Sequence, residues 1–440
     1  MALSSPRSQH WTNWSRTVRC EPAYCAHPVT IEQVQAEVVR ASEDGERLRV
    51  IGSGHSFSPL CWTDDNHMAL DRFTGIESVD FERRRVWVRA GTRLRRLTEA
   101  LARRGLALEN APDYDRQTLG GAIATATHGT GAAFGNLSSL VTGLRMVCAD
   151  GTVRSVSQQD DPVLLCAGAV SLGALGVITH VELQCVDDYR LVVSSTAATL
   201  GETIERLTEL RRDHRNSEFF WFPHTDSVLV RRADVTRETP TRLSPVQRTL
   251  RRGVDKAVFT GMSQAARRAP RVAEQFGRVA SRLVSGRRDV LAARSAYALR
   301  RRSRFQQLEF ALPVDWLGTV LRSLDHLIKA LDSRIHFPIE VRFVAPDGNW
   351  LSPHYERDSA CITVPAYADI GFRDYFAPVS ELMERYDGRP HWGMVHDLGA
   401  PQLRSLYPRF DDFRALRRQL DPRGLFLNPH LAAVLGESLR

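Results

Sequence analysis

Apolar and polar positions change rhythm once along the chain, near residue 189. Before that point, short β-rich runs at residues 48–54, 84–91, 141–156 and 175–186 are bounded by Gly and Asp and read as strands. Apolar spacing between them predicts helices over residues 30–41 and 92–104. Beyond it come strand and helix patterns over 190–212 and strands near 305–312 and 336–343. A helix over 315–332 and a last one over 380–386 complete the pattern. With no internal repeat and no low-complexity linker, this is an α+β chain of two domains, 1–189 and 190–440.

Charge changes that picture in one place. The chain has 440 residues, 43% of them hydrophobic and 25% charged, which is the composition of a globular protein. The formal net charge is +8, yet residues 241–305 alone hold 17 basic and 3 acidic residues. Val272, Phe276, Val279, Ala280 and Leu283 lie there at helical spacing, which predicts two or three short amphipathic helices broken at Pro270 and Gly286. The segment reads either as a solvated helical face or as a peripheral contact for acidic lipid headgroups or another anionic partner. No DNA- or RNA-binding motif accompanies the arginines, so nucleic acid is not an expected partner.

Other compositional features exclude classes of chemistry. Only Lys256 and Lys329 are lysines, so a Schiff base would have to use one of the two. The seven cysteines are odd in number and show no C-x-x-C spacing, which suits buried thiols in a reducing compartment; no metal is expected. Residues 1–19 lack the apolar stretch of a secretory signal, and cytoplasm is the expected location. An uncharged run over 163–181 is interrupted by Gly168, Ser171, Gly173 and Gly176, which suits tight packing better than a bilayer span.

Three glycine-containing segments in the first half carry the main chemical signal. Residues 50–59 (VIGSGHSFSP) take a strand end into a loop of small residues whose backbone N–H groups can form a nest for a diphosphate. Phe57 stands where a Rossmann fingerprint needs its third glycine, which disfavours a nicotinamide dehydrogenase. Residues 117–131 (QTLGGAIATATHGTG) and 171–179 (SLGALGVIT) likewise let a ligand lie on the main chain.

These segments in this order resemble the FAD-binding domain of the vanillyl-alcohol-oxidase superfamily. In the second half, IEVR (339–342), WLSP (350–353), GRPHWG (388–393) and DPRGLFLN (421–428) resemble the aldonolactone oxidase and alditol oxidase family. The resemblance implies a two-subdomain FAD-binding domain of the PCMH type, an α+β substrate cap, and a C-terminal segment 420–440 packing back on the FAD domain. It implies that His55 carries a covalent bond to FAD, with Gly52, Ser53, Gly54, Ser56 and Phe57 around the diphosphate. Asp113, Thr118, Gly121, Thr125, Thr127, His128, Gly129, Gly176 and Ile178 would line the rest of the cofactor. Glu340 and Arg342 are two apart, so on a strand they share a face. By resemblance that is the substrate side of the flavin, with Glu340 as hydroxyl partner or base, Arg342 as charge stabiliser, and His391 and Trp392 as the adjacent wall.

The implied reaction is hydride transfer from a CH–OH group of a small sugar-derived substrate, a lactone or polyol, to the flavin, with O₂ or another acceptor taking the electrons. Three departures bear on it. Met394 replaces a common lysine after HWG, Thr363 stands where alditol oxidases have histidine, and Pro112 replaces a Gly or Ala near the flavin. The basic segment supports an alternative reading, a larger or lipid-linked sugar at a membrane surface, and Met394 and Thr363 support another, a flavin-binding protein with weakened catalysis.

Overall fold

The computed structural model describes residues 10–241, 286–297, 305–331, 337–367 and 373–439. The first half holds a parallel three-stranded sheet, Tyr24–Ala26, Asn66–Ala69 and Leu48–Ile51, and an antiparallel five-stranded sheet. The latter runs Val153–Ser157, Val141–Val147, Val177–Gln184, Arg85–Arg89, Ile76–Asp80 in spatial order. The second half is built on an antiparallel eight-stranded sheet, all of whose strands lie at residue 190 or later. At its centre Asn216–Trp221 pairs with Ile339–Val344, which pairs with Ser359–Tyr367 and so to Phe305–Pro313.

Local sequence explains these elements. The helix Ile31–Glu43 starts where Thr30 caps it by accepting from the Gln33 N–H, and it buries Val34, Val38 and Ala41 at helical spacing. The helix Leu317–Ala330 buries Leu317, Val320, Leu321, Leu324 and Ile328 on one stripe. The strand Ile339–Val344 is buried along its whole length, as expected of a central strand covered on both faces. One apolar core runs from Ala26 to Leu435 and joins both halves.

Several expectations need correction. The helix over 380–386 begins earlier, at Arg373, and is not the last: Ala400–Leu406, Phe410–Leu420 and Pro429–Leu435 follow. The apolar stripe of Phe410–Leu420 is interrupted in sequence by arginines and aspartates, and the other two helices are seven residues each, too short to show a helical period. The uncharged run 163–181 splits into the helix Pro162–Ala169, a turn, and a strand from Val177. Among the described residues no helix is long and apolar enough to cross a membrane. Most of the basic segment, 242–285, lies outside the described residues. Its end is a strand, Arg288–Ala292, added to the sheet edge beside Arg190–Thr199, followed by the helix Ala293–Ala296.

Two seams close the architecture. The Leu48 N–H donates to Leu425 (2.8 Å), and Asn428 Nδ2 donates to the carbonyls of Pro59, Leu60 and Trp62, so the C-terminal segment is bonded to the first half. Residues 131–134 are stitched to the large sheet through Gly131 N–H to Phe343 O (2.8 Å) and Ala345 N–H to Phe134 O (2.9 Å).

Candidate active site

The three glycine segments converge on one cradle. The first turn leaves the strand Leu48–Ile51 with Gly54 at φ 64°, a left-handed conformation that glycine adopts without strain. A Cβ on Gly52 would stand 2.3 Å from Thr118 Oγ1, so the first and second segments touch through the missing side chain. Past the turn, the Phe57 N–H and Ser58 Oγ reach the carbonyls of Gly393 (2.6 Å) and Trp392 (2.7 Å). In the second segment Thr125 Oγ1 bonds the Gly121 carbonyl (3.1 Å), and Gln117 Nε2 donates to Thr127 Oγ1 (3.3 Å). The third joins through Leu172 N–H to Ala124 O (3.1 Å). Gly176 opens the strand Val177–Gln184 where a Cβ would meet the Val147 carbonyl at 2.7 Å, and Ile178 is buried in that strand opposite Met146.

The cradle fits a dinucleotide cofactor. Gly52 and Gly121 are exposed, while Ser53 Oγ and Gln117 Oε1 beside them are buried without hydrogen-bond partners among the described residues. Open main chain flanked by orphaned polar atoms is what a phosphate-bearing ligand would cover and satisfy. At its edge His55 packs edge-on against Tyr114, whose hydroxyl lies 3.2 Å from Nε2, with Trp14 beyond. Burial, with Arg93 and Arg116 adding to it, pushes the His55 imidazole down to about 4, so at neutral pH the ring is uncharged.

Next to the cradle is a narrow cleft with Ala111, Asp113, Gly129, Glu218, Tyr297 and Arg342 in its lining. Arg342 is its centre. Nε lies 3.1 Å from Glu218, NH2 lies 3.2 Å from Asp113, and NH2 also bonds Glu340. Glu218 is shared with Arg231 at 2.8 Å. Burial alone would lower the Arg342 pKa, but Asp113, Glu340 and Glu218 together hold the charged form far above the usual range. The sheet register sets this up: Glu218 stands opposite Arg342, and Glu340 opposite Thr363.

A second buried pair lies alongside. His128 Nε2 donates to Glu309 (2.8 Å), Nδ1 donates to Gly129 O (2.8 Å), and Thr363 Oγ1 donates to the other Glu309 oxygen (2.7 Å). Burial opposes both charges. Cys361 and Glu309 nevertheless raise the His128 pKa well above normal, and His128 and His391 hold Glu309 far below. His391 is pushed down by burial, and its Nδ1 accepts from the Gly393 N–H (3.1 Å), which leaves the proton on Nε2. One potential ligand atom each of His128, His354 and Cys361 lie within 4.8 Å of one another, but both His128 nitrogens are already engaged as donors.

The structure thus brings Glu340 and Arg342 together on one strand face, and gathers residues 52–57, 118, 121, 125 and 127 around one cradle. Asp113, grouped in the sequence with the cofactor residues, also puts its carboxylate on Arg342. Glu218, Glu309, Tyr114 and Arg231 went unnoticed in the sequence. The signal for Glu218 and Glu309 was a lone carboxylate inside an apolar strand, NSEFFW and QQLEFAL, which burial obliges to find a partner.

Comparison with known proteins agrees with this arrangement. An FAD binding domain profile matches residues 22–157, and the D-arabinono-1,4-lactone oxidase profile matches residues 181–434. L-gulono-1,4-lactone dehydrogenase of Mycobacterium tuberculosis is 38% identical over 97% of this chain and 99% of its own length. L-gulonolactone oxidase of Scyliorhinus torazame is 33% identical over 95% and 96%, and alditol oxidase of a Streptomyces species 29% over 96% and 98%. Among solved structures, cholesterol oxidase of Brevibacterium sterolicum superposes with a TM-score of 0.79 at 16% identity, over 98% of this chain and 97% of the other, a likeness of fold. Profile and full-length relatives agree: the chain belongs to the D-arabinono-1,4-lactone oxidase family.

Proposed function

We propose that the protein is an FAD-dependent oxidoreductase that converts a CH–OH group of a sugar lactone or polyol to a carbonyl. The observation that carries this reading is Arg342, buried among three carboxylates in a cleft that shares Gly129 with the cofactor cradle. Bound FAD would supply the electron sink, taking the hydride and passing the electron pair to O₂ or another acceptor. Gly52 to Phe57 would hold its diphosphate, and Thr118, Gly121, Thr125, Thr127 and Gly129 would line its path.

This chain's residues do the rest. Glu340 takes the proton of the reacting hydroxyl, and Arg342 donates to the oxygen on which charge develops. Asp113 and Glu218 fix the guanidinium so that it needs no reorientation during the reaction. His391 Nε2–H adds a donor beside them. A screen of lactones, polyols and more apolar alcohols for anaerobic bleaching of the bound flavin tests this; no bleaching by any lactone or polyol would refute it.

The neutral, partly enclosed His55 supports covalent attachment of FAD there. Acid-precipitated protein should keep its yellow colour in the pellet, and His55→Ala should release it. Colour wholly in the wild-type supernatant would exclude the bond. Seven cysteines without a disulfide support a reducing, cytoplasmic setting. The basic charge of 241–305 supports contact with anionic headgroups, to be checked by co-sedimentation with phosphatidylserine vesicles at low and high salt.

A further inference from the structure

Outside the cleft, Arg49 is a deeply buried charge. It lies in the strand that feeds the first glycine turn, is 2% exposed, and all its nitrogens are spent on main-chain oxygens. Nε donates to Leu60 O (2.9 Å), NH1 to Gly173 O (3.1 Å) and to Phe426 O, and NH2 to Leu172 O (3.0 Å). Burial pushes its pKa down to about 10, and among the described residues no carboxylate forms an ion pair with it. Asp421, which bonds the Leu425 and Phe426 N–H groups, faces Arg417 instead. A buried guanidinium without a counter-ion is expensive, and a chain keeps one only where something offsets it.

The bonds it makes are not generic. Leu172 and Gly173 are consecutive left-handed residues, at φ 55° and 67°, and leucine adopts that conformation only under constraint. Arg49 grips the carbonyls of both. Leu172 is in turn bonded to Ala124 of the second segment, and Leu60 closes the first. One side chain therefore holds the C-terminal segment and all three cradle segments, two directly and one through Leu172.

We propose that Arg49 is the positioning residue of the cofactor cradle: its guanidinium locks these turns into the shape that receives a diphosphate, and the diphosphate supplies its missing counter-charge. This rests on the FAD reading. The test uses full-length apoprotein in the His55→Ala background, where flavin is exchangeable, titrated with FAD and with riboflavin, which carries no phosphate. Arg49→Met should weaken FAD binding on the order of 30-fold while changing riboflavin binding by less than about threefold. Equal losses for both flavins would mean a collapsed cradle without a charge role, and unchanged FAD affinity would remove any role; either overturns the proposal. Arg49→Lys covers the case in which the methionine variant does not fold. It must keep FAD affinity within about fivefold while amide exchange at residues 172–174 quickens, because the charge remains and the fork of donors is gone. A lysine variant that loses FAD, or whose exchange is unchanged, overturns it too. Failure of the parent apoprotein to bind FAD would sink the FAD reading and this proposal with it.

Discussion

The cradle and the cleft are neighbours built on opposite principles. The cradle recognises with main chain: glycine turns, threonine hydroxyls and a histidine kept neutral, with the Arg49 cation hidden behind the turns. The cleft recognises with side chains, and its charges are dense, buried and mutually bonded. A ligand common to the family can be met by backbone geometry. A reaction in which charge develops at one oxygen needs donors and acceptors already fixed in place.

If the two principles are separable, the largest effect should fall on one side only. Arg342→Met should lower kcat/KM by about 10³-fold with flavin content unchanged, measured by turnover and visible absorbance. Parallel loss of flavin would show that the regions are one. Gly129→Ala should break both together. Its Cβ would stand 2.5 Å from the Ala111 carbonyl, pushing the loop that carries Asp113, and turnover should fall about 10²-fold with reduced flavin content.

The buried His128 and Glu309 pair gives a pH signature. Glu309 is depressed, so its contribution is present above its unfolded value near 4.5 and is lost as pH falls toward its folded value. His128 is raised, so its contribution is complete below 6.5 and is lost only as pH climbs through its higher folded value. Glu309→Gln should cost about 3 kcal/mol near pH 6 and flatten the acid side of the stability profile in urea titrations. Smaller again, Glu218→Gln should lower kcat about tenfold with little change in KM, because Arg342 loses alignment but keeps Asp113 and Glu340. An unchanged kcat would remove Glu218 from the cleft's machinery. The smallest effect tests the seam between regions. Pro112 is buried between Ala111 and Asp113, and Pro112→Gly should speed reoxidation by O₂ severalfold in stopped flow, proline being the stiffer residue.

What could be read in advance follows the same division. The cradle was legible because its contacts come from short contiguous motifs, in which each small residue marks a close approach of backbone. That Glu340 and Arg342 share a face was legible from their spacing, while their place beside a flavin came from the family resemblance. The partners of that pair were not, because Glu218 meets Arg342 across 124 residues through a strand register that no local period encodes. Asp113 escaped for the same reason, at 229 residues from Arg342. The helix Phe410–Leu420 was missed because arginine stems cover apolar surface that a pattern of letters scores as polar, and Ala400–Leu406 and Pro429–Leu435 because seven residues are too few for a helical period to show.

The stitch between residues 131–134 and the large sheet bears on engineering. Transplanting the second half from a relative to change its preferred alcohol cannot be a single cut near residue 189. Such a chimaera would pair a foreign strand at 339–344 with the native loop at Gly131 and Phe134, and with native Gly129 and Asp113 behind it. A functional graft has to carry residues 110–134 along with the later half, so the exchangeable unit is discontinuous in sequence.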